Sequence, residues 1–184
     1  VLNWQTAWGG LDHDLTFGLR VHEDEEDRFQ EEDAYRLETG ELFLTTAGVP
    51  GSQANRVSSG EALALFVEDR IRWNRLAVTA GLRFEDYELS RADYDTADPD
   101  RSEGPTRVRT LNDQVVVPGL SVLYEATHEL TLVAGVHKGF AIASPGNTSS
   151  ESEESTNYEA GGRYSRGAFS AEAIAYFNDY SNLL

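Results

Sequence analysis

The sequence lacks several features that define other classes of protein. None of its 184 residues is cysteine, which excludes disulfides, thiolate metal sites and cysteine nucleophiles. No stretch approaches the roughly 18 apolar residues of a membrane helix. Basic residues are scarce, with 15 Lys plus Arg against 32 Asp plus Glu, and Lys138 is the only lysine. Because phosphate contacts need a basic surface, we expect no nucleic-acid partner.

Motifs that carry catalysis are absent as well. The sequence has no Gly-x-Ser-x-Gly elbow and no glycine-rich phosphate loop, and its four histidines form no His-x-x-x-His pair. We therefore predict neither an enzyme nor a resident cofactor. The chain starts at Val1 without a basic and apolar signal segment and stops at Leu184 inside an apolar run. We interpret it as a piece of a longer protein.

What the sequence does contain is a period of two. In the segment Leu76–Phe84 the even positions are apolar, while Thr79, Gly81 and Arg83 occupy the other phase. This alternation predicts a β-strand with one apolar and one polar face. The same pattern predicts eight strands in all: Leu2–Gly9, Leu15–Glu23, Glu61–Trp73, Leu76–Leu89, Val115–Glu125, Leu130–Phe140, Thr156–Tyr164 and Phe169–Tyr180.

The connections between these strands are alternately short and long. Tight turns are predicted at 10–14, 73–76, 126–129 and 165–168, so the strands pair as four hairpins. The long gaps span 24–60, 90–114 and 141–155. Because short and long connections alternate, all the long loops fall at one end, which is typical of an outer-membrane β-barrel and not needed in a soluble sandwich.

The two phases differ in the way a barrel wall requires. Trp8, Trp73 and Phe169 lie in the apolar phase beside the short turns, where an interfacial aromatic girdle is expected. Asp69 is an exception, since it falls in the apolar phase of its strand. The pattern predicts an all-β fold: a segment of an antiparallel up-and-down transmembrane β-barrel.

Several segments resemble a known family. They are 68–72 with 79–85, 118–124, 136–140, 157–164 and 176–180, which are similar to successive barrel strands of TonB-dependent outer-membrane receptors. The first part of the chain, from Asp12–Leu15 through His22–Glu25 to Gly48–Gly51 with Asn55 and Arg56, is similar to the ferric-dicitrate branch.

This resemblance implies a 22-stranded barrel closed by an N-terminal plug domain. Residues 1–184 would be about eight strands of that barrel, without the plug. The implied function is uptake of a ferric siderophore, of the ferric citrate kind, across the outer membrane of a bacterium. The implied partners are outer-membrane lipid, the ferric siderophore, and the TonB complex acting through the missing plug. No cofactor other than the transported ligand is expected.

For an anionic ferric chelate the useful side chains are cations near the long-loop end, because guanidinium groups hold carboxylates in a bidentate fork. An alternative is that these cations only neutralise neighbouring Glu and Asp. The candidate ligand-binding residues are Arg20, His22, Arg28, Arg36, Arg56, His137 and Lys138.

Two acidic runs could suggest calcium. Glu23–Asp27 has no dedicated ligand spacing, and Asp93–Asp100 lacks both the glycine at the sixth position and the distal bidentate glutamate. We predict solvated loops and no metal site.

A second function remains open from the residues alone. The chain could be a complete eight-stranded barrel, or a soluble all-β binding module. In a complete barrel the first and last strands are hydrogen-bonded to each other, whereas a slice of a wider barrel leaves two bare edges.

Overall fold

A computed structural model describes residues 1–143 and 152–182. Over these ranges it contains no helix long and apolar enough to cross a membrane. Its regular structure is β, in ten strands: β1 (Leu2–Trp8), β2 (Leu11–Gln30), β3 (Ala34–Glu38), β4 (Glu41–Thr46), β5 (Ala54–Trp73), β6 (Leu76–Asp93), β7 (Arg107–Glu125), β8 (Leu130–Ala141), β9 (Glu153–Arg166) and β10 (Phe169–Ser181).

Eight of these strands form one antiparallel sheet in the order β1-β2-β5-β6-β7-β8-β9-β10. The four predicted hairpins are confirmed, and each is also paired to the next. No register joins β1 to β10 in the part of the chain that the structure describes, so these strands are the two edges of the sheet. The closed eight-stranded barrel considered from the sequence is therefore not what the strands form.

The predicted strand bounds at the long-loop end are wrong, because the strands are longer. β2 continues to Gln30, β5 already begins at Ala54, and the β6–β7 connection shrinks to residues 94–106. Backbone hydrogen bonding continues here after the side chains stop alternating clearly between apolar and polar. The hydropathy pattern therefore ends before the hydrogen-bonded ladder does. The ladder between β2 and β5 runs without interruption from Asp12–Arg72 to Gln30–Ala54.

Two further local differences have a clear cause. The first turn is the pair Gly9-Gly10, with φ of 64° and 79°, and not the predicted segment 10–14. A two-residue hairpin turn needs positive φ at both central positions, which glycine adopts without strain. The first long gap also contains a separate hairpin, β3–β4, that turns at Thr39-Gly40 with φ of 50° and 87°.

Register places the two phases on opposite faces, here named the apolar face and the polar face. On the apolar face, Val67 pairs with Phe17 on one side and with Leu82 on the other. From Leu63 to Trp73 this face extends ten residue steps along β5. At about 3.4 Å per residue and a tilt of about 45°, that is roughly 24 Å, close to the apolar band of about 25 Å in outer-membrane barrels.

Aromatic side chains gather on the apolar face beside the short turns. The sequence predicted Trp8, Trp73 and Phe169 at this level. The structure adds Tyr124, opposite Leu76, and Tyr164, opposite Leu130. Aromatic side chains are more than half exposed at Trp8, Trp73 and Phe169. This row has the composition and position of an interfacial girdle.

Asp69 lies on the apolar face, as predicted, and the structure shows its partner. Asp69 Oδ2 is 2.8 Å from Nδ1 of His13, on the neighbouring strand β2. The ring of Trp8 lies beside the imidazole, with the two centroids 6.3 Å apart. The polar exception in the pattern is thus half of a cross-strand pair.

The sheet divides between β7 and β8. Their ladder ends at Gly119–His137, and the next step would pair Pro118 with Lys138. Proline has no N–H to donate to a ladder. Beyond this point the ring of Phe140 stacks on Tyr87 of β6, with centroids 6.4 Å apart. Of the predicted long gap 141–155, residues 144–151 lie outside the described residues.

Candidate functional site

The candidate site lies on the polar face at the long-loop end, where the strands extend beyond the apolar band. Two rows of side chains cross β2, β5, β6 and β7 at this level, and we call them the arginine rows. The first row consists of Arg28, Arg56, Asp93 and Arg107, and the second of Glu26, Ser58, Arg91 and Arg109. Adjacent members of each row are direct register partners.

Asp93 binds two arginines of the second row through its carboxylate. Its Oδ1 accepts hydrogen bonds from Arg91 Nε at 2.8 Å and Nη2 at 2.6 Å. Its Oδ2 accepts one from Arg109 Nη1 at 2.7 Å. The three side chains are 22%, 22% and 15% exposed for Asp93, Arg91 and Arg109. Ion pairs this sheltered are screened less than surface pairs, so the two guanidinium groups are held firmly.

The other arginines in the rows are open to a ligand. Arg56 and Arg107 flank Asp93 on the two neighbouring strands, and neither side chain makes a hydrogen bond or ion pair with any residue in the described ranges. Arg28 donates from Nε to Gln30 Oε1 at 2.8 Å, which leaves its terminal nitrogens available. Five arginines against Asp93 and Glu26 make a local excess of positive charge in a chain whose net charge is −17.

The structure places only two of the sequence-predicted site residues in the arginine rows. Arg28 and Arg56 are directly opposite each other in the first arginine row. Arg20 and His22 are on the same face of β2 but further from the long-loop end, and Arg20 Nη2 lies 3.4 Å from His22 Nδ1. Eight residue steps separate Arg20 from Arg28, which is about 27 Å along the strand.

The remaining three predicted residues lie elsewhere. Arg36 is in the β3–β4 hairpin and pairs with Glu38 at 3.2 Å. His137 is opposite Gly119 on the polar face, near the middle of the wall. Lys138 pairs with Glu154 at 2.9 Å. In the last case the pairing is the neutralisation of a neighbouring carboxylate, which is the alternative that the sequence left open.

Sequence reasoning missed all four members of the rows on β6 and β7, as well as Glu26 and Ser58. Arg91, Asp93, Arg107 and Arg109 all fall in the predicted gap 90–114, although they are strand residues. A signal was present, because Arg91-Ala92-Asp93 and Arg107-Val108-Arg109 continue the period of two with small or apolar residues between charges. Such an alternation indicates a strand with a charged face.

The loop beside the arginine rows is fastened by Arg101, in a set of contacts we call the Arg101 clamp. Arg101 donates to both carboxylate oxygens of Asp27, at 2.6 and 3.0 Å, and from Nε to Asn55 Oδ1 at 2.7 Å. Its guanidinium also lies over the rings of Tyr94 and Phe29, 4.8 and 5.6 Å from their centroids. Hydrogen bonding to Asp27 raises the pKa of Arg101, so this cation stays charged.

Asp98 closes the turn of the same loop. Its carboxylate accepts from the Glu103 N–H at 2.8 Å and from the Ser102 hydroxyl at 3.1 Å. The hydrogen bond from the Glu103 N–H is the main reason that the pKa of Asp98 lies below its usual value. Together with the Arg101 clamp, this turn fixes the path of the chain from β6 to β7.

Below the arginine rows, a buried polar cluster spans three segments. The Tyr87 hydroxyl donates to Asp113 Oδ2 at 3.0 Å, and the Ser152 hydroxyl donates to the same oxygen at 2.9 Å. Tyr87 and Ser152 are only 3% and 6% exposed. This cluster attaches the start of the β9 segment to the polar face of β6 and β7, beneath the arginine rows.

The arrangement of the arginines is suited to the recognition of an anion. Within residues 1–143 and 152–182, no group of three or more His, Asp or Glu side chains is arranged to hold a metal ion. Guanidinium groups on adjacent strands can instead hold the carboxylates of a ligand through paired hydrogen bonds.

The fold and the site together define a wall segment of an outer-membrane-type β-barrel with a cationic polar face. The family model "TonB dependent receptor-like, beta-barrel" matches residues 2–184. The chain belongs to this family of β-barrel receptors, whose members are transport receptors and not enzymes. No curated protein sequence matches the chain.

Solved structures with a similar fold are siderophore receptors. The unliganded ferric citrate transporter FecA has 21% identity and a TM-score of 0.74, covering 97% of this chain and 26% of that one. The ferric-catecholate import receptor Fiu from E. coli K12 has 13% identity and a TM-score of 0.77, covering 98% and 30%. The siderophore receptor PiuA from Acinetobacter baumannii has 12% identity and a TM-score of 0.73, covering 95% and 30%. The chain therefore spans less than a third of the length of these structures.

Proposed function

We propose that this chain is part of the wall of a bacterial outer-membrane receptor that takes up an anionic ferric siderophore, of the ferric citrate type. The observation that supports this proposal is the pair of arginine rows, which present five guanidinium groups on the polar face at the long-loop end. In a closed barrel the polar face would line the lumen, and the long-loop end would face the outside of the cell.

The ligand class follows from the chemistry of the site. A ferric polycarboxylate presents several carboxylate oxygens, and each can accept a bidentate pair of N–H groups from arginine. The ferric ion arrives inside its chelator as part of the substrate, so the receptor needs cations and hydrogen-bond donors and no metal ligands of its own.

Similarity of fold does not select the ligand. Structures of receptors for a ferric catecholate and for ferric yersiniabactin share this fold, as does that of the ferric citrate transporter. The choice of a citrate-like ligand therefore rests on the arginines, which match carboxylates in geometry and in charge.

The proposal also includes the partners and the location. The apolar face would contact outer-membrane lipid over its band of about 24 Å. Energy for uptake would come from the TonB complex through a plug domain that closes the barrel. This role for a plug follows the family resemblance and is part of the proposal.

The test is to remove two of the open arginines from the full-length receptor. Arg56→Gln with Arg107→Gln removes two charge-assisted contacts, so we expect the affinity for ferric citrate to fall at least about a hundredfold, since each such contact contributes about 1.5–3 kcal/mol. Binding would be measured by isothermal titration calorimetry with ferric citrate as the probe.

Arg75→Gln is the matched control for this experiment. It removes one positive charge where the double variant removes two, but Arg75 lies in a short turn at the other end of the sheet, where, among the described residues, its side chain donates only to the Ala126 carbonyl at 3.4 Å. We expect its affinity for ferric citrate to be unchanged. Equal binding by the double variant and by Arg75→Gln would rule out the proposed site.

A further inference from the structure

Asp93 is a carboxylate in the middle of a site that we propose binds an anion. It is flanked in register by Arg56 on β5 and by Arg107 on β7. Judged by charge alone, Asp93 opposes the binding of any anionic ligand. The presence of a single negative charge at the centre of a positively charged site requires a physical explanation.

The contacts of Asp93 provide that reason. Each of its two oxygens is occupied by a different arginine: Arg91 binds Oδ1 and Arg109 binds Oδ2. Arg109 has no other hydrogen bond in the described residues, and its Nε is buried without a partner. The orientation of the Arg109 guanidinium therefore depends on Asp93.

We propose that Asp93 is a positioning residue that orients Arg91 and Arg109 for the ligand, and this inference rests on the proposed function. An arginine side chain has many rotamers, and ligand binding must restrict them unless contacts within the protein have already done so. Asp93 fixes two of the arginines before the ligand arrives. The rows thereby contain two held arginines, Arg91 and Arg109, and three open ones, Arg28, Arg56 and Arg107.

The same geometry determines where the charges of the ligand can lie. Arg56 and Arg107 are two strands apart, so their backbones are about 10 Å from each other, with Asp93 between them. A compact anion placed centrally would meet Asp93. A ligand with carboxylates on two sides and a neutral or cationic centre avoids that repulsion, and a chelate of Fe³⁺ with carboxylates at its periphery has this distribution of charge.

The test relies on the opposite effects that the charge of Asp93 and its positioning role predict for ligand affinity. In the full-length receptor, Asp93→Asn removes a negative charge, which on electrostatic grounds alone strengthens the binding of ferric citrate. A positioning role predicts that binding weakens about tenfold, and that Asp93→Glu, which keeps the carboxylate, recovers most of the affinity. Both dissociation constants would be measured by calorimetry with ferric citrate as the probe.

A second variant tests the positioning role independently, in the event that Asp93→Asn loses its structure. Arg109→Lys keeps the charge and the contact with Asp93 but removes the planar fork, and we expect its affinity for ferric citrate to fall as well. Glu61→Gln is the matched control, because it removes one carboxylate on the apolar-face phase, opposite Glu23. Thermal unfolding of each variant separates loss of orientation from loss of fold.

The outcomes distinguish this inference from the proposed function. Binding by Asp93→Asn that is unchanged or stronger overturns the positioning role, as does failure of Asp93→Glu to recover affinity. If binding is also unchanged in the double variant of Arg56 and Arg107, the proposed function itself fails. Weakened binding in that double variant, with normal binding in Asp93→Asn, overturns only the role of Asp93.

Discussion

Single residues determine how closely neighbouring strands can approach in this wall. A Cβ built on Gly161 would lie 2.2 Å from the Ala173 carbonyl oxygen and 2.7 Å from the Ile174 Cα. These are backbone atoms of β10, so no side-chain rotation relieves the overlap. Gly161 therefore allows β10 to pack against β9, and any other residue would push the strands apart.

We predict that Gly161→Ala destabilises the receptor by about 1–3 kcal/mol, the usual cost of overpacking. Hydrogen exchange of β10 amides would show the loss of protection. Gly119→Ala is the control, because its Cβ would lie 3.5 Å from its nearest neighbour, the His137 Cβ, which is an ordinary contact. Equal protection of β10 in the two variants would contradict this account.

The pair of His13 and Asp69 is the other residue-scale feature with a measurable cost. It lies on the apolar face, four residue steps from Trp73, or about 10 Å into the band when the strand is tilted by about 45°. The side chains are 12% and 23% exposed, and His13 Nε2 and Asp69 Oδ1 are buried without hydrogen-bond partners among residues 1–143 and 152–182. Polar groups at such depth are costly unless they are paired.

We predict that removing one partner is worse than removing both. Asp69→Leu leaves an unpaired imidazole and should cost about 1–3 kcal/mol of unfolding free energy, the cost of an unsatisfied buried polar group, whereas the double change with His13→Leu should recover most of that loss. Denaturant unfolding from lipid vesicles would compare both variants with the native protein. A double variant less stable than Asp69→Leu would contradict the prediction.

At the scale of elements, the apolar period of the sequence sufficed for the hairpins, the strand order and the two faces. It failed in the outer parts of β2, β5, β6 and β7. In β2 both faces are polar at Glu23–Asp27, so no hydropathy contrast distinguishes these residues from a loop, whereas in β6 and β7 the alternation continues but covers only a few residues. Asp24 and Ser90, for example, fall in predicted gaps although both are strand residues.

The candidate site was only half predictable for the same reason. Arg28 and Arg56 could be chosen as cations near the long-loop end, but their pairing required the register of β2 and β5. Arg91 and Arg109 became visible only when β6 and β7 were seen to extend that far. The β3–β4 hairpin was missed because its turn, Thr39-Gly40, was not recognised as a hairpin signal.

The β6–β7 connection should respond to acid. The pKa of Asp98 lies below its usual value because the Glu103 N–H stabilises the carboxylate. Its contribution to loop stability is therefore present above the ordinary aspartate pKa and is lost as the pH falls through the lowered value. We predict that hydrogen-exchange protection at 98–104 decreases over this acidic range in the native protein.

The variant Asp98→Asn serves as the control at each pH. It lacks the titrating group, so subtracting its exchange rates from those of the native protein removes the intrinsic pH dependence of exchange. A difference between the two proteins that stays constant from neutral to acidic pH would exclude Asp98 as the cause.

The whole molecule exposes two strand edges and a broad apolar face, which a complete barrel in a membrane would cover. Strands β1 and β10 are both edges in the described sheet, and large apolar side chains such as Trp4, Leu19 and Phe177 are more than half exposed. Unpaired edges and a broad apolar face favour association with other chains. Both features belong to a segment of a wider wall.

We predict that residues 1–184 alone do not transport ferric citrate. Produced as a separate chain and reconstituted into vesicles, they should give no uptake and should associate in detergent, whereas the full-length receptor should bind ferric citrate, as proposed, and should remain dispersed. Uptake assays and light scattering would test this. Saturable uptake by the separate chain would contradict it.

The position of Pro118 has a consequence for how such a wall can work. Below this residue β7 and β8 are joined, and above it, in the described residues, each holds to only one neighbour. Pro118 is in register with Leu82 and Val67, so the seam opens within the apolar band, above Leu120, Val122 and Tyr124. The half of the wall beside the long loops can therefore adapt its shape along this seam, while the half beside the short turns keeps β7 and β8 aligned.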